Sequence, residues 1–281
     1  MLIFKTIPEI RDFVKREKSG GKTVGFVPTM GYLHQGHLSL VEKAREECGT
    51  VVVSIFVNPL QFGPREDFSQ YPRDFARDSA MLGDCGVDAL FHPTGEEMYN
   101  GHHNTFVEVA GVTDCLCGKS RPGHFRGVAT VVTKLFNIVQ PDRAYFGQKD
   151  AQQVLVIRKM ARDLDMPLAV VTVPTAREPD GLAMSSRNVY LTPDQREKAP
   201  VLYKSLRAAA EAVSAGERDV NKLVGMVKQV INNTEGAVMD YVEIRSLPDL
   251  DEKEWLDLPS LMALAVRFGK TRLIDNIVLG E

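Results

Sequence analysis

Short apolar runs rich in β-branched residues alternate with helical spacing through the first two thirds of the chain. TVGFVPT at 23–29 is apolar almost throughout, as a buried strand requires. GHLSLVEKAREECG at 36–49 places Leu38, Val41, Ala44 and Cys48 on one face and closes on glycine, which predicts a helix. TVVVSIFV (50–57) predicts the next strand. PRDFARDSAMLGDCG (72–86) predicts a helix with Pro72 in its first turn, and DALFHP (88–93) a strand. GVATVVTKLFNIVQ (127–140) exceeds a strand's length and predicts a helix despite its valines. RAYFGQ (143–148), DAQQVLVIRKMARDLD (150–165) and LAVVTVPT (168–175) continue as strand, helix, strand.

This β-α-β-α rhythm predicts an α/β fold, a doubly wound parallel sheet with helices on both faces. Such sheets bind ligands beyond the carboxyl ends of their strands, where the strand order reverses. Near 176 the pattern changes. REPDGLAMSSRN (177–188) lacks apolar periodicity and predicts a loop. DQREKAPVLYKSLRAAAEAVSAG (194–216) and VNKLVGMVKQVINN (220–233) predict two helices. MDYVEIRS (239–246), LMALAVRFG (261–269) and TRLIDNIVLG (271–280) predict strands. A smaller α+β C-terminal domain over 177–281 follows a first domain over 1–176.

Polar clusters fall just past the predicted strands. They are His34, Gly36 and His37; Asn58, Pro59 and Gln61; Gly147 to Asp150; and Ala176 with Arg177. In a parallel sheet those ends share one edge, so the clusters predict one site. The stretch PTMGYLHQGHLSL (28–40) sets two imidazoles at a helix start. There the backbone N–H groups and the helix dipole favour phosphate. Packed histidines and a zinc site are the alternatives, although His34 and His37 have no carboxylate or thiol nearby at ligand spacing. Lys149 is either a solvated lysine or a cation on a polyphosphate. Gln61, Gln152 and Gln153 have amides suited to hydroxyls and carboxylates. The loop AMSSRN (183–188) suits a lid over phosphates, and Arg121 and His124 lie in a basic, glycine-rich SRPGHFRG. His102 and His103 read as loop histidines, and Glu178 and Asp180 as turn residues.

Bulk properties narrow this further. The 281 residues are 44% hydrophobic and 25% charged with a formal net charge of −3, which gives no global field for nucleic acid. Cys48, Cys85, Cys115 and Cys117 form no C-x-x-C pair and are expected as free thiols in a reducing compartment. The first residues carry scattered charges, unlike a secretory signal. VVVSIFV is far short of the ~20 residues of a membrane span. A cytoplasmic protein without membrane or nucleic-acid partners is expected.

Together these stretches resemble a known family. PTMGYLHQGHLSL carries the H-x-G-H signature of the cytidylyltransferase-like and class I aminoacyl-tRNA synthetase superfamily, and MSSRN sits where that superfamily has its K-M-S-K-S lid. FVNPLQFG, EDFSQYPR, RPGHFRGV, QPDRAYFGQKDAQQ and REPDGLAMSSRN follow in order and are similar to the pantoate–β-alanine ligases (pantothenate synthetases). The resemblance implies a Rossmann-like ATP- and pantoate-binding catalytic domain over 1–176 and a C-terminal lid domain over 177–281. It implies condensation of (R)-pantoate with β-alanine through pantoyl adenylate, releasing AMP and pyrophosphate. Mg2+ would accompany the ATP, in a cytoplasmic homodimer.

The resemblance also implies roles for individual residues. Met30, Gly31, Tyr32, Leu33, His34, Gln35, Gly36 and His37 would line the ATP, with His34, His37 and Lys149 catalytic and His37 the proton donor. Gly147, Gln148, Lys149 and Asp150 would meet ribose and phosphates. Ala176 would border adenine, and Met184, Ser185, Ser186 and Arg187 would close over the triphosphate. Gln61 and Gln153 would hold pantoate; Gln61 and Arg121 would meet β-alanine. No residue is assigned to a resident metal. Ala176 departs from the family's usual T-V-R-E-P-D-G; the contact there is mainly backbone, so little change is expected. Rival readings are a nucleotidyltransferase that keeps AMP in its product, a nucleotide sensor, and a tRNA-binding fragment.

Overall fold

The structure, a computed structural model, describes residues 1–64, 66–101 and 103–280; His102 therefore lies outside the described residues. The chain packs as two compact units. One comprises Met1–Val109, Arg121–Gln148 and Gln153–Pro174. The other comprises Ala110–Ser120, Lys149–Gln152 and Thr175–Glu281.

The first unit holds six strands: β1 (Leu2–Phe4), β2 (Val24–Thr29), β3 (Thr50–Ile55), β4 (Ala89–Phe91), β5 (Arg143–Gly147) and β6 (Ala169–Val173). Every pair is parallel, in the order β1-β4-β3-β2-β5-β6. The chain steps outward from β2 to β4 and then crosses back to β5 on the other side of β2. The order therefore reverses between β2 and β5. Alternate strand residues face opposite ways. Val51, Val53 and Ile55 join Val27, Leu40, Val41, Ala44 and Leu82 in one core, while Val52 is equally buried on the opposite side. Burial on both faces is why β2, β3 and β4 read as nearly continuous apolar runs. The edge strand β1 is mostly exposed.

The second unit is built on an antiparallel meander of β7 (Ala237–Ser246), β8 (Ser260–Phe268) and β9 (Thr271–Leu279). Helices Val201–Ser214 and Val220–Asn232 share its core: Leu202, Leu206, Leu223 and Val227 meet Val242, Leu264, Val266 and Phe268.

Several boundaries differ from the periodicity. The helix expected over 72–86 spans Phe75–Asp84, because Asp74 caps it by accepting from the Arg77 N–H at 3.1 Å; Pro72 precedes the cap. The helix expected from 127 begins at His124. The one helix expected over 194–216 is two, Pro193–Lys198 and Val201–Ser214. Pro200 separates them, having no N–H to continue the ladder. The strand β1 and the helix Ile7–Ser19 lie outside the elements that the pattern predicts. The helix has a legible signal in Thr6 and Glu9, whose carboxylate accepts from Thr6 Oγ1 at 2.7 Å and Thr6 N–H at 3.1 Å.

Candidate active site

The double-histidine stretch leaves the carboxyl end of β2. Gly31 and Tyr32 both take left-handed backbone, at φ +80° and +50°. The turn aims two successive N–H groups at one carboxylate: Asp78 Oδ2 accepts from Tyr32 at 2.6 Å and Oδ1 from Leu33 at 2.8 Å. Asp78 is 1% exposed, and burial pushes its carboxyl above the usual range against the pull of those two N–H groups. A Cβ on Gly31 would lie 3.0 Å from Ile55 Cγ2 and 3.1 Å from Asp78 Oδ2, a tight fit that adds to the preference for glycine set by φ. Motif matching misses Asp78. The signal for it is an acid four residues before Leu82 on the buried face of an amphipathic helix.

His34 then caps the helix Gln35–Glu47. Its Nδ1 accepts from the Gly36 N–H at 3.1 Å, and His37 Nδ1 accepts from the His34 N–H at 3.2 Å. The two rings lie 4.0 Å apart. An imidazole whose Nδ1 accepts is neutral and carries its proton on Nε2, so the hydrogen bonds assign one tautomer to both rings. The N–H groups of His34, Gly36 and His37 are bonded within the cap. Anion binding at this helix start would therefore rest on two imidazole Nε2–H groups and the helix dipole, more than on the backbone donors the sequence pointed to.

A second cluster follows β3. Asn58 precedes the 3-10 turn Pro59–Gln61. Its Nδ2 donates to Gln61 Oε1 and to the Gly127 carbonyl, both at 3.2 Å, and Gln61 Nε2 donates to Met30 Sδ at 2.8 Å. Arg121 grips Glu66 in a two-pronged pair, Nε to Oε1 at 2.7 Å and Nη2 to Oε2 at 2.6 Å, and its Nη2 donates to the Gln61 carbonyl at 3.3 Å. A substrate carboxylate at Arg121 must share that guanidinium with Glu66. His124 Nδ1 donates to the same Gln61 carbonyl at 2.8 Å. Gly127 lets the helix His124–Val139 press on this turn: a Cβ there would lie 2.1 Å from the Leu60 carbonyl oxygen. Gln153 is half-buried in the helix Ala151–Asp163. His103 packs edge-on against Tyr99 at 4.8 Å.

Gly147 ends β5 and Gln148 follows it in the first unit; the second unit holds Lys149, Asp150, Ala176 and Met184 to Arg187. Lys149 approaches Asp150 at 3.7 Å, and its carbonyl accepts from Asn276 Nδ2 at 2.8 Å. Gln152, grouped with Gln153 by sequence, is structural. Its Nε2 donates to the carbonyls of Val112 and Cys115 at 2.9 Å, and its Oε1 accepts from the Cys117 N–H at 2.9 Å. The Ala176 carbonyl accepts from the Met184 N–H at 3.0 Å. Ser185 Oγ caps the turn Ser186–Tyr190 through the Arg187 N–H at 3.2 Å. Arg177 meets the buried Asp275 through Nη1 at 2.7 Å and Nη2 at 2.9 Å. Asp180 is the turn residue expected: its Oδ1 accepts from the Leu182 N–H at 3.2 Å.

Among the described residues no group of three or more His, Cys, Asp or Glu could hold a metal ion, and no helix is long and apolar enough to cross a membrane.

Comparison with known proteins identifies the family. A family model described as Pantoate-beta-alanine ligase matches residues 2–278. The chain is 60% identical to the pantothenate synthetase of Pelotomaculum thermopropionicum over 281 residues, the whole of both chains. It is 56% identical to that of Carboxydothermus hydrogenoformans over 99% of each. The crystal structure of pantothenate synthetase from Thermus thermophilus superposes with a TM-score of 0.95 at 50% identity, covering 99% of each chain. The pantoate-beta-alanine ligase of Francisella tularensis, complexed with βγ ATP and β-alanine, gives a TM-score of 0.81 at 35% identity. That match covers 100% of this chain and 98% of the other.

Proposed function

We propose, since the chain belongs to the pantoate–β-alanine ligase family, that it condenses (R)-pantoate with β-alanine in two steps driven by ATP. A carboxylate oxygen of pantoate attacks the α-phosphorus and pyrophosphate leaves, giving pantoyl adenylate. The amine of β-alanine then attacks the acyl carbon, loses a proton, and AMP leaves. No side-chain nucleophile is needed, because the attacking carboxylate is already ionised. The protein's task is to position the reactants and stabilise charge at a crowded phosphorus.

The observation that carries this reading is the pair of neutral imidazoles, each with Nδ1 fixed by its own helix cap, just past the strand where the sheet order reverses. Their Nε2–H groups are the donors for phosphate oxygens as charge moves from carboxylate to pyrophosphate, with His37 as proton donor. Met30 to His37 line the ATP. Gly147 to Asp150 meet ribose and phosphates, and Lys149 neutralises charge at the α-phosphate. Ala176 borders adenine, and Met184 to Arg187 close over the triphosphate and exclude water from the adenylate. Gln61 and Gln153 hold pantoate; Gln61 and Arg121 meet β-alanine. The reading assigns nucleotide and pantoate binding to 1–176 and a lid to 177–281, in a cytoplasmic homodimer. Mg2+ enters as part of the nucleotide substrate, bound by phosphate oxygens.

Pyrophosphate–ATP exchange tests the mechanism. With pantoate present and β-alanine absent, exchange is expected, and it should vanish when pantoate is withheld. Folded protein that gives no exchange would refute the adenylate. A product that retains AMP would point to nucleotidyl transfer instead.

A further inference from the structure

The Gln61 amide has a fixed sense, and the residue that completes it lies outside every motif described above. Asn58 is 1% exposed and all of its amide is engaged. Its Oδ1 accepts from the Leu60 N–H at 3.3 Å, and its Nδ2 donates to the Gly127 carbonyl at 3.2 Å. A backbone N–H can only donate and a carbonyl can only accept, so the two ends of the Asn58 amide cannot be exchanged. Two consequences follow. The Tyr99 hydroxyl, 2.6 Å from Asn58 Oδ1, must donate its proton. And Gln61 Oε1, 3.2 Å from Asn58 Nδ2, must accept, which turns Gln61 Nε2 toward Met30 Sδ.

A thioether is a weak acceptor. A hydroxyl or carboxylate oxygen of a ligand is a better one, so the contact to Met30 is one that a substrate oxygen can replace. Tyr99 ends the short helix Gly95–Tyr99. Its ring is held between Phe56 at 6.0 Å and His103 at 4.8 Å, with Lys134 Nζ 5.7 Å above it. Burial raises its phenol well above the ordinary range, so the proton stays on the oxygen at any working pH.

We propose that Tyr99 is a positioning residue for the pantoate step: its hydroxyl pins Asn58, whose amide sense the backbone sets, where Nδ2 meets Gln61 Oε1 and leaves Gln61 Nε2 to donate, and the site thereby selects acceptor oxygens of the substrate. The proposal rests on the reading of Gln61 as a pantoate residue. Tyr99→Phe keeps the ring and removes the donor, and Asn58 retains its bond from Leu60. The variant is expected to raise KM for pantoate about tenfold, the loss of one well-placed hydrogen bond, while KM for ATP stays within about twofold. A purely structural role would lower the thermal midpoint and leave the two KM values in their original ratio. In a Gln61→Ala background the same substitution should change KM for pantoate no further, because its route of action is gone.

Gln61→Glu gives an arm that leaves Tyr99 in place and serves even if Tyr99→Phe does not fold. A carboxylate can accept from Asn58 but offers no donor beyond it, so KM for pantoate should rise as far as in Gln61→Ala. An unchanged KM for pantoate in folded Tyr99→Phe, additive effects in the double variant, or near-normal pantoate binding in Gln61→Glu would each overturn the proposal. Pantoate-independent wild type would instead overturn the functional reading on which it stands.

Discussion

Arg121 is held by Glu66, which is 26% exposed at its side chain and lies within one guanidinium's reach. Burial alone would push that carboxyl up; the Arg121 hydrogen bonds and charge outweigh it and hold the group down from 4.5 to about 2. A carboxyl lowered in the folded state contributes stability that is complete above its unfolded value and lost as pH falls toward the folded one. Between about pH 4.5 and 2 the wild type should therefore lose an increment on the order of 1–2 kcal/mol that Glu66→Gln lacks from the outset. Thermal melts across that range check it: the two curves should converge as the pH falls. At this scale the sequence reveals which residues matter better than how they are oriented. H-Q-G-H stands out as a candidate site, but the imidazole tautomers depend on which nitrogen meets which N–H. The carboxylate on Arg121 and the partners of Gln152 come from 55 and at least 35 residues away, beyond any local pattern.

Among the elements, the contact between the helix His124–Val139 and the turn Pro59–Gln61 depends on one missing methyl. A Cβ on Gly127 would meet backbone on all sides, 2.1 Å from the Leu60 carbonyl oxygen and 2.7 Å from Gln61 Cα. Neither atom can rotate away, so Gly127→Ala must drive helix and turn apart. The expected result is a loss of about 1–3 kcal/mol in denaturant unfolding, with pantoate-dependent exchange falling further than stability does. Gly95→Ala, where a Cβ meets nothing within 4 Å, should leave both measurements near wild type. The same glycine shows how far elements are legible. Periodicity locates the helix but takes Gly127 for its start, when its first turn begins at His124. Apolar runs mark the inner strands because burial on both faces leaves only apolar residues. The edge strand β1 is also apolar, but its three mostly exposed residues are too few to stand out.

For the molecule as a whole, the rhythm of strands and helices is enough to read the parallel sheet. The composition of the second unit is not legible in this way, since Ala110–Ser120 and Lys149–Gln152 join Thr175–Glu281 through contacts between distant segments. The Arg177–Asp275 pair is another contact of long range within that unit. Asp275 is 2% exposed, and removing it leaves a guanidinium facing an empty, desolvated site. Asp275→Ala should cost about 3 kcal/mol or more, readable as a lowered urea midpoint.

Asp275 and its neighbour Asn276, which holds the Lys149 carbonyl, both lie on β9, the last strand of the chain. During synthesis the H-Q-G-H turn and its Asp78 clamp can form long before that strand emerges. Lys149 and Arg177 cannot be anchored until it does. The two anchors thus share one strand, so a defect in β9 would loosen Arg177 and the Lys149 backbone together while the Asp78 clamp stays closed.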